Sequence, residues 1–294
     1  MQDILQYLPQ NKQNSRAWIG LIILISYFLL YVAFNVAASS MIEIDENVIL
    51  NQNPISLLVS QAVSQVIMFI VIAILITYLL LKFDFKHFFP GVSGKEVLML
   101  FGIAVGSMVL ISAVGEWNMK LDFGDSDFAQ WARKSENQLK VITEHLTTFQ
   151  STQHFLLAFL AVAIIPAIAE ELIFRGLMQS LFTRVLKNHH VAIWLTGFIF
   201  AAIHLQFFGL APRMLLGVLF GYLYHWSGKL TTAIIGHLIN NGLALMLLLL
   251  AQHKVLDVSP EQMEQSAPWP AVVFFGILTV FLLSRFHKLY QSNA

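Results

Sequence analysis

Eight mostly apolar stretches, each close to the length of a membrane crossing, divide this chain: residues 17–38, 56–81, 96–115, 154–186, 191–208, 212–227, 230–251 and 268–286. A helix needs about 20 such residues to cross the hydrocarbon layer of a bilayer. Within that layer the backbone must satisfy its own polar groups, which a helix does unaided. The expected fold class is therefore all-α, a polytopic membrane helical bundle of about eight transmembrane helices. Composition agrees, with 57% hydrophobic residues and 12% charged, where a soluble domain carries about 25% charged. The run after Lys12 and Arg16 is about 20 residues long, against about 7–15 for the apolar part of a signal peptide, so it reads as an uncleaved first span.

Loop charges orient the spans. With the N-terminus inside, the inner segments hold Lys12, Arg16, Lys82, Lys86, Lys95, Arg184, Lys187, Lys229, Arg285 and Lys288, and the outer loops Lys120, Arg133, Lys134, Lys140, Arg213 and Lys254. The excess of basic residues inside places both termini in the cytoplasm. The one long outer loop, Glu116–Gln153, contains an amphipathic pattern over residues 127–148, with Phe128, Trp131, Leu139, Ile142 and Leu146 as its apolar members. That suits an interfacial helix, either a headgroup-level anchor or a lid. The expected organisation is residues 1–153 as N-terminal spans with this loop, 154–251 as a core, and 252–294 as a C-terminal loop and last span.

Net charge is zero, which gives no sign of a nucleic-acid partner. There is no cysteine, so disulfides, thiolate metal sites and cysteine nucleophiles are excluded, and ten histidines must carry any imidazole chemistry.

The chemistry concentrates in the fourth span. Ala169–Arg175, AEELIFR, sets Glu170, Glu171 and Arg175 in an apolar run, at a cost of roughly 2.5–3.5 kcal/mol per charge on insertion scales. Glu171 and Arg175 are four apart, on one helix face in the favourable order. Glu170 lies about 100° further round. Pro166, four residues before it, removes a backbone hydrogen bond and is expected to kink the helix. The fifth span contains Phe200 and His204, and the seventh His237 and Asn241, each pair co-facial at a spacing of four. Counted from Arg184, His190 and Lys229, the groups Glu170, His204 and Asn241 lie about 18–21 Å deep and His237 about 12 Å. Similar depth lets them meet. The sixth span also carries Gly217 and Gly221, a GxxxG that permits close helix contact. His154, His189, His190, His225, His253 and His287 fall near span ends, where interfacial solvation accounts for them.

One carboxylate without an i+4 partner, two histidines and an asparagine on three spans suit water activation or metal binding. Glu170, His204 and His237 form a candidate set for a divalent metal such as zinc with an open fourth position. No HExxH is present, which favours a metal-free glutamate mechanism. A carboxylate, an activated water and donors for an oxyanion are the needs of peptide hydrolysis. Glutamates and histidines on several spans also make ion pathways, so a metal or proton transporter is the alternative. Spans one to three offer few polar groups, namely Ser26, Ser60, Gln61, Ser64, Gln65, Ser107 and Ser112, which favours a single site over a route.

The ordered set EExxxR, FxxxH and HxxxN resembles the CPBP intramembrane proteases, which include the type II CAAX prenyl endopeptidases and bacteriocin-immunity relatives. The motifs read Glu170-Glu171…Arg175, Phe200…His204 and His237…Asn241. The resemblance implies an intramembrane endopeptidase, of metalloendopeptidase or glutamate type, acting on a membrane-associated protein or peptide. It implies that Glu170 and His204 activate water, that His237 and Asn241 stabilise the oxyanion, and that Glu171 and Arg175 support the site. A non-catalytic immunity or scaffold member is the other possibility within the family, and retention of all motif residues argues against it. The expected location is the bacterial plasma membrane, with membrane lipid and the substrate as partners.

Overall fold

The computed structural model describes residues 10–41, 46–81, 89–258 and 265–291. Lys82 and Lys86 of the loop count lie outside them. Every regular element among the described residues is helical. We label the principal helices α1 (Gln10–Met41), α2 (residues 54–81), α3 (Gly94–Met119), α4 (Asp127–Thr147), α5 (Thr152–Leu186), α6 (His189–Ala202), α7 (Leu210–Ser227), α8 (Leu230–Gln252) and α9 (Trp269–Gln291).

Among the described residues seven helices are long and apolar enough to cross a membrane: α1, α2, α3, α5, α7 with the preceding turn from Phe207, α8 and α9. The expected fifth span differs. Its helix α6 has 14 residues and stops at Ala202. Residues 203–205 form a turn in which Leu205 takes φ = 55°, and a 3₁₀ turn, Phe207–Gly209, leads into α7. A non-glycine residue in the left-handed region ends a helix without any sequence mark.

Helix α5 is the axis of the bundle. At 35 residues it is about 50 Å long, well beyond a hydrocarbon layer of about 30 Å. Residues 169–182 are all buried and Arg175 is the largest fully buried side chain. Phe174 stacks on Phe28 of α1 at 5.3 Å, meets Phe69 of α2 at 6.2 Å and Phe200 of α6 at 5.2 Å. Four helices thus share one aromatic core beside the charged residues. Elsewhere large apolar side chains such as Leu30 and Ile277 are exposed, as a surface against lipid allows. Pro166 follows a π-helical stretch, Phe159–Ile164. The wider turns absorb the missing N–H.

The GxxxG of α7 makes close helix contacts. A Cβ on Gly217 would stand 2.9 Å from the Cα of Gly197 in α6, and one on Gly221 would stand 2.8 Å from Oε1 of Gln179 in α5. These approaches expose carbonyls of α7 to α5. Arg175 Nη2 donates to the Gly217 carbonyl at 2.9 Å, and Gln179 Nε2 to the Gly221 carbonyl at 3.0 Å. Two donors four apart on one helix meet two carbonyls four apart on the next.

Helix α4 docks on protein at both ends. Ser126 caps it. Phe128 and Trp131 pack against Phe207, at 5.0 and 5.6 Å. At its C-terminal end, the Leu146 carbonyl accepts from Nε2 of His154 in α5 at 3.0 Å. His154 is 1% exposed, so interfacial solvation does not account for it; it ties α4 to α5.

Candidate active site

Glu171 is the hub. Its Oε1 accepts from Arg175 Nη1 at 2.7 Å and from His237 Nδ1 at 2.8 Å. Glu171 and Arg175 are fully buried. The first bond is the i,i+4 pair legible in the sequence; the second joins α5 to α8. Aromatic faces complete the enclosure. The Arg175 guanidinium lies 4.9 Å from the Phe200 ring centre and 5.6 Å from that of Phe220, and Phe220 stacks on His237 at 5.0 Å. Ring faces carry negative charge density and favour a cation above them.

The bond to Glu171 fixes His237. A carboxylate only accepts, so Nδ1 carries the proton and Nε2 faces away from Glu171. Nε2 lies 3.9 Å from Oε2 of Glu170, itself buried. That separation is too long for a hydrogen bond. An oxygen atom about 2.8 Å from both would stand off the line between them.

His204 is held differently. Its Nδ1 donates to the Phe200 carbonyl at 2.7 Å and its ring meets that of Phe200 at 5.2 Å. The bond assigns the proton to Nδ1 and leaves Nε2 as the free nitrogen. His204 sits within electrostatic reach of His237 and Arg213, and no direct contact with Glu170 occurs among the described residues. Helix α6 ends two residues before His204, which stands in the turn that follows.

Asn241 is anchored through the backbone. Its Nδ2 donates to the Val162 carbonyl at 3.1 Å and its Oδ1 accepts from Asn240 Nδ2 at 3.2 Å. Val162 is four residues before Pro166, which has no N–H to offer that carbonyl. The proline supplies the acceptor that orients Asn241.

Two further residues border the group. Arg213 of α7 is within electrostatic reach of Glu136, Glu170 and His204, and its Nη1 is buried without a hydrogen-bond partner. Tyr31 of α1 is within electrostatic reach of Glu170. Glu136 of α4 bonds the turn after His204, accepting from the Phe208 backbone and from Gln206 Nε2. Burial pushes the Glu136 carboxyl above its ordinary range, against the opposing pull of Arg213 and these two bonds. Arg213 had entered the sequence reading only as a loop charge. A cavity of about 350 Å³ opens beside these groups, lined in part by Glu136, Gly209, Pro212, Leu216 and Asn240.

Among the described residues no three histidine or carboxylate groups converge as metal ligands do. Glu170, His204 and His237 as they stand do not make a coordination shell.

No curated protein and no solved structure matches the chain. Residues 152–243 match the family model described as type II CAAX prenyl endopeptidase Rce1-like. That stretch contains Glu170, Glu171, Arg175, His204, His237 and Asn241, so the similarity to that family falls on the residues of the three motifs.

Proposed function

We propose that this chain is an intramembrane endopeptidase that hydrolyses a peptide bond of a membrane-associated protein, with Glu170 as the base. The observation that carries the reading is the gap of 3.9 Å between Glu170 Oε2 and His237 Nε2, in a buried site where His237 is oriented from behind by Glu171. A water held there is polarised by the carboxylate, which takes its proton as the oxygen attacks the scissile carbonyl. Proton transfer then reaches the leaving amine from Glu170.

The oxyanion needs donors aimed at it before reaction begins. Asn241 has a second N–H besides the one given to Val162. His237 is assigned beside it, its ring held through Nδ1 by the Glu171 carboxylate. His204, with Nε2 free, is assigned with Glu170 to activation of the water. Arg175 pairs with Glu171 and holds it in place against His237. The cavity beside Asn240 and Glu136 is the route by which the substrate backbone reaches the site. The setting is a cell membrane, the plasma membrane of a bacterium, with both termini cytoplasmic.

The test is hydrolysis by purified protein in liposomes of quenched fluorescent peptides ending in a prenylated cysteine motif, beside unprenylated counterparts. Glu170→Gln is expected to lower kcat by about 10²–10⁴ while leaving unfolding unchanged, because Glu170 makes no hydrogen bond among the described residues for the substitution to break. Cleavage at the wild-type rate by Glu170→Gln refutes the assignment. Loss of wild-type activity on chelation, restored by zinc, refutes the metal-free form. Metal flux lost in Glu170→Gln, with no peptide cleaved by any form, points to a transporter.

A further inference from the structure

Away from this site, α3 and α9 pack side by side and leave a crevice of about 420 Å³ lined by Lys95, Met99, Phe281, Leu282, Arg285, Lys288 and Leu289. We propose that it binds an anionic phospholipid, with the phosphate held by Lys95, Arg285 and Lys288 and an acyl chain lying along the apolar floor.

The order of residues along both helices has the polarity of such a lipid. On α9, Phe274, Ile277, Phe281, Arg285 and Lys288 follow at steps of three and four and so share one face. The first three are 62%, 68% and 58% exposed and apolar; the last two are cationic. On α3, Lys95 stands one turn from Met99. Charge therefore lies at one end of the crevice and hydrocarbon along the rest.

The cations are free to take a ligand. Lys95, Arg285 and Lys288 are exposed and make no hydrogen bond or ion pair among the described residues. The neighbouring acid does not neutralise them. Glu96 is buried and already accepts from Lys229 Nζ at 2.7 Å, from the Ser93 N–H at 2.5 Å and from the Tyr290 hydroxyl. The N-terminal turn of α3 adds a partial positive charge at the same end. Basic pockets between transmembrane helices hold anionic headgroups by the same combination.

The test is independent of peptidase activity. Wild-type protein in neutral detergent is offered an equimolar mixture of dioleoyl-phosphatidylglycerol and dioleoyl-phosphatidylcholine, and the bound lipid is counted by native mass spectrometry. Preference for phosphatidylglycerol is expected to fall about five-fold for each cation removed, and on the order of 100-fold in the triple variant Lys95→Gln, Arg285→Gln, Lys288→Gln. Thermal unfolding without lipid should match between the two proteins, since the three side chains hold no partner among the described residues. Equal occupancy by the two lipids in wild type overturns the proposal, as does preference retained in the triple variant. Lys187→Gln, which removes another exposed cation, is expected to leave the preference intact; an effect equal to that of Arg285→Gln would assign it to general surface charge. Inorganic phosphate at millimolar concentration should not displace the lipid; displacement would make the crevice a simple anion site.

Discussion

Removing Glu171 should cost this protein more than removing any other polar group of the site, and the cost should be partly recoverable by a second substitution. Glu171 is fully buried and its Oε1 receives both Arg175 Nη1 and His237 Nδ1. Glu171→Ala leaves a buried guanidinium with one neutral acceptor, the Gly217 carbonyl, and the faces of Phe200 and Phe220, which it already has. Taking one partner from a buried ion pair costs about 3–5 kcal/mol, mostly the penalty of the charge left behind. Glu171→Gln retains an acceptor and should cost about 1–3 kcal/mol. Adding Arg175→Met to Glu171→Ala removes the orphaned cation, so the double variant should be more stable than the sum of the singles by about 0.5–3 kcal/mol. Reversible unfolding of purified protein in mixed micelles, titrated with denaturing detergent, gives all three values. Strict additivity would show that the two residues are not energetically coupled and would sink the hub argument. Hydrolysis supplies a second reading: in Glu171→Gln the His237 ring loses its charged anchor, and kcat should fall about 10²-fold.

Gly217→Ala should destabilise by about 1–3 kcal/mol and lower activity, because its Cβ would meet the Gly197 backbone at 2.9 Å and displace the carbonyl that Arg175 uses; an unfolding titration and a cleavage assay check both. Asn241→Ala should reduce kcat about 10²–10³-fold with little change in KM, and equal losses in both constants would assign Asn241 to substrate binding instead. Glu136 gives a pH dependence. Its carboxyl is raised in the folded protein, so the folded state holds the proton more tightly. The docking of α4 is therefore strongest at low pH and weakens as pH rises from the ordinary carboxylate range through the raised folded value. Hydrogen exchange over residues 127–147, corrected for the intrinsic pH effect, should show that loss, and Glu136→Gln should flatten it.

The site was legible in outline because burying charge in an apolar helix is costly. Glu170, Glu171 and Arg175 stand out against the fourth span for that reason, and co-facial spacing paired Glu171 with Arg175 correctly. The same economy pointed to His237 and Asn241 on the seventh segment. Spacing within one helix, however, says nothing of rotation between helices. It left unseen that Glu171 faces His237 across the bundle, and that Glu170 lies nearer His237 than His204. The end of α6 was hidden for a different reason. Residues 203–210 read IHLQFFGL, apolar enough to continue a span, and the break rests on Leu205 entering the left-handed region, which composition does not announce.

The larger omission concerns what satisfies the buried polar groups. Side chains had been matched with side chains, yet half of the fixing bonds end on backbone carbonyls. Asn241 donates to Val162, Arg175 to Gly217, Gln179 to Gly221 and His204 to Phe200. A helix carbonyl already in the ladder has a second lone pair, but a neighbouring helix reaches it only where no side chain intervenes. Glycine at 217 and 221 removes that obstacle, and proline at 166 withdraws the N–H that would have served Val162. These three positions are as much part of the site as its carboxylates, because they decide where the polar side chains point. Reading Pro166 only as a kink and the glycines only as a packing motif captured their mechanical effect and passed over the acceptors they uncover.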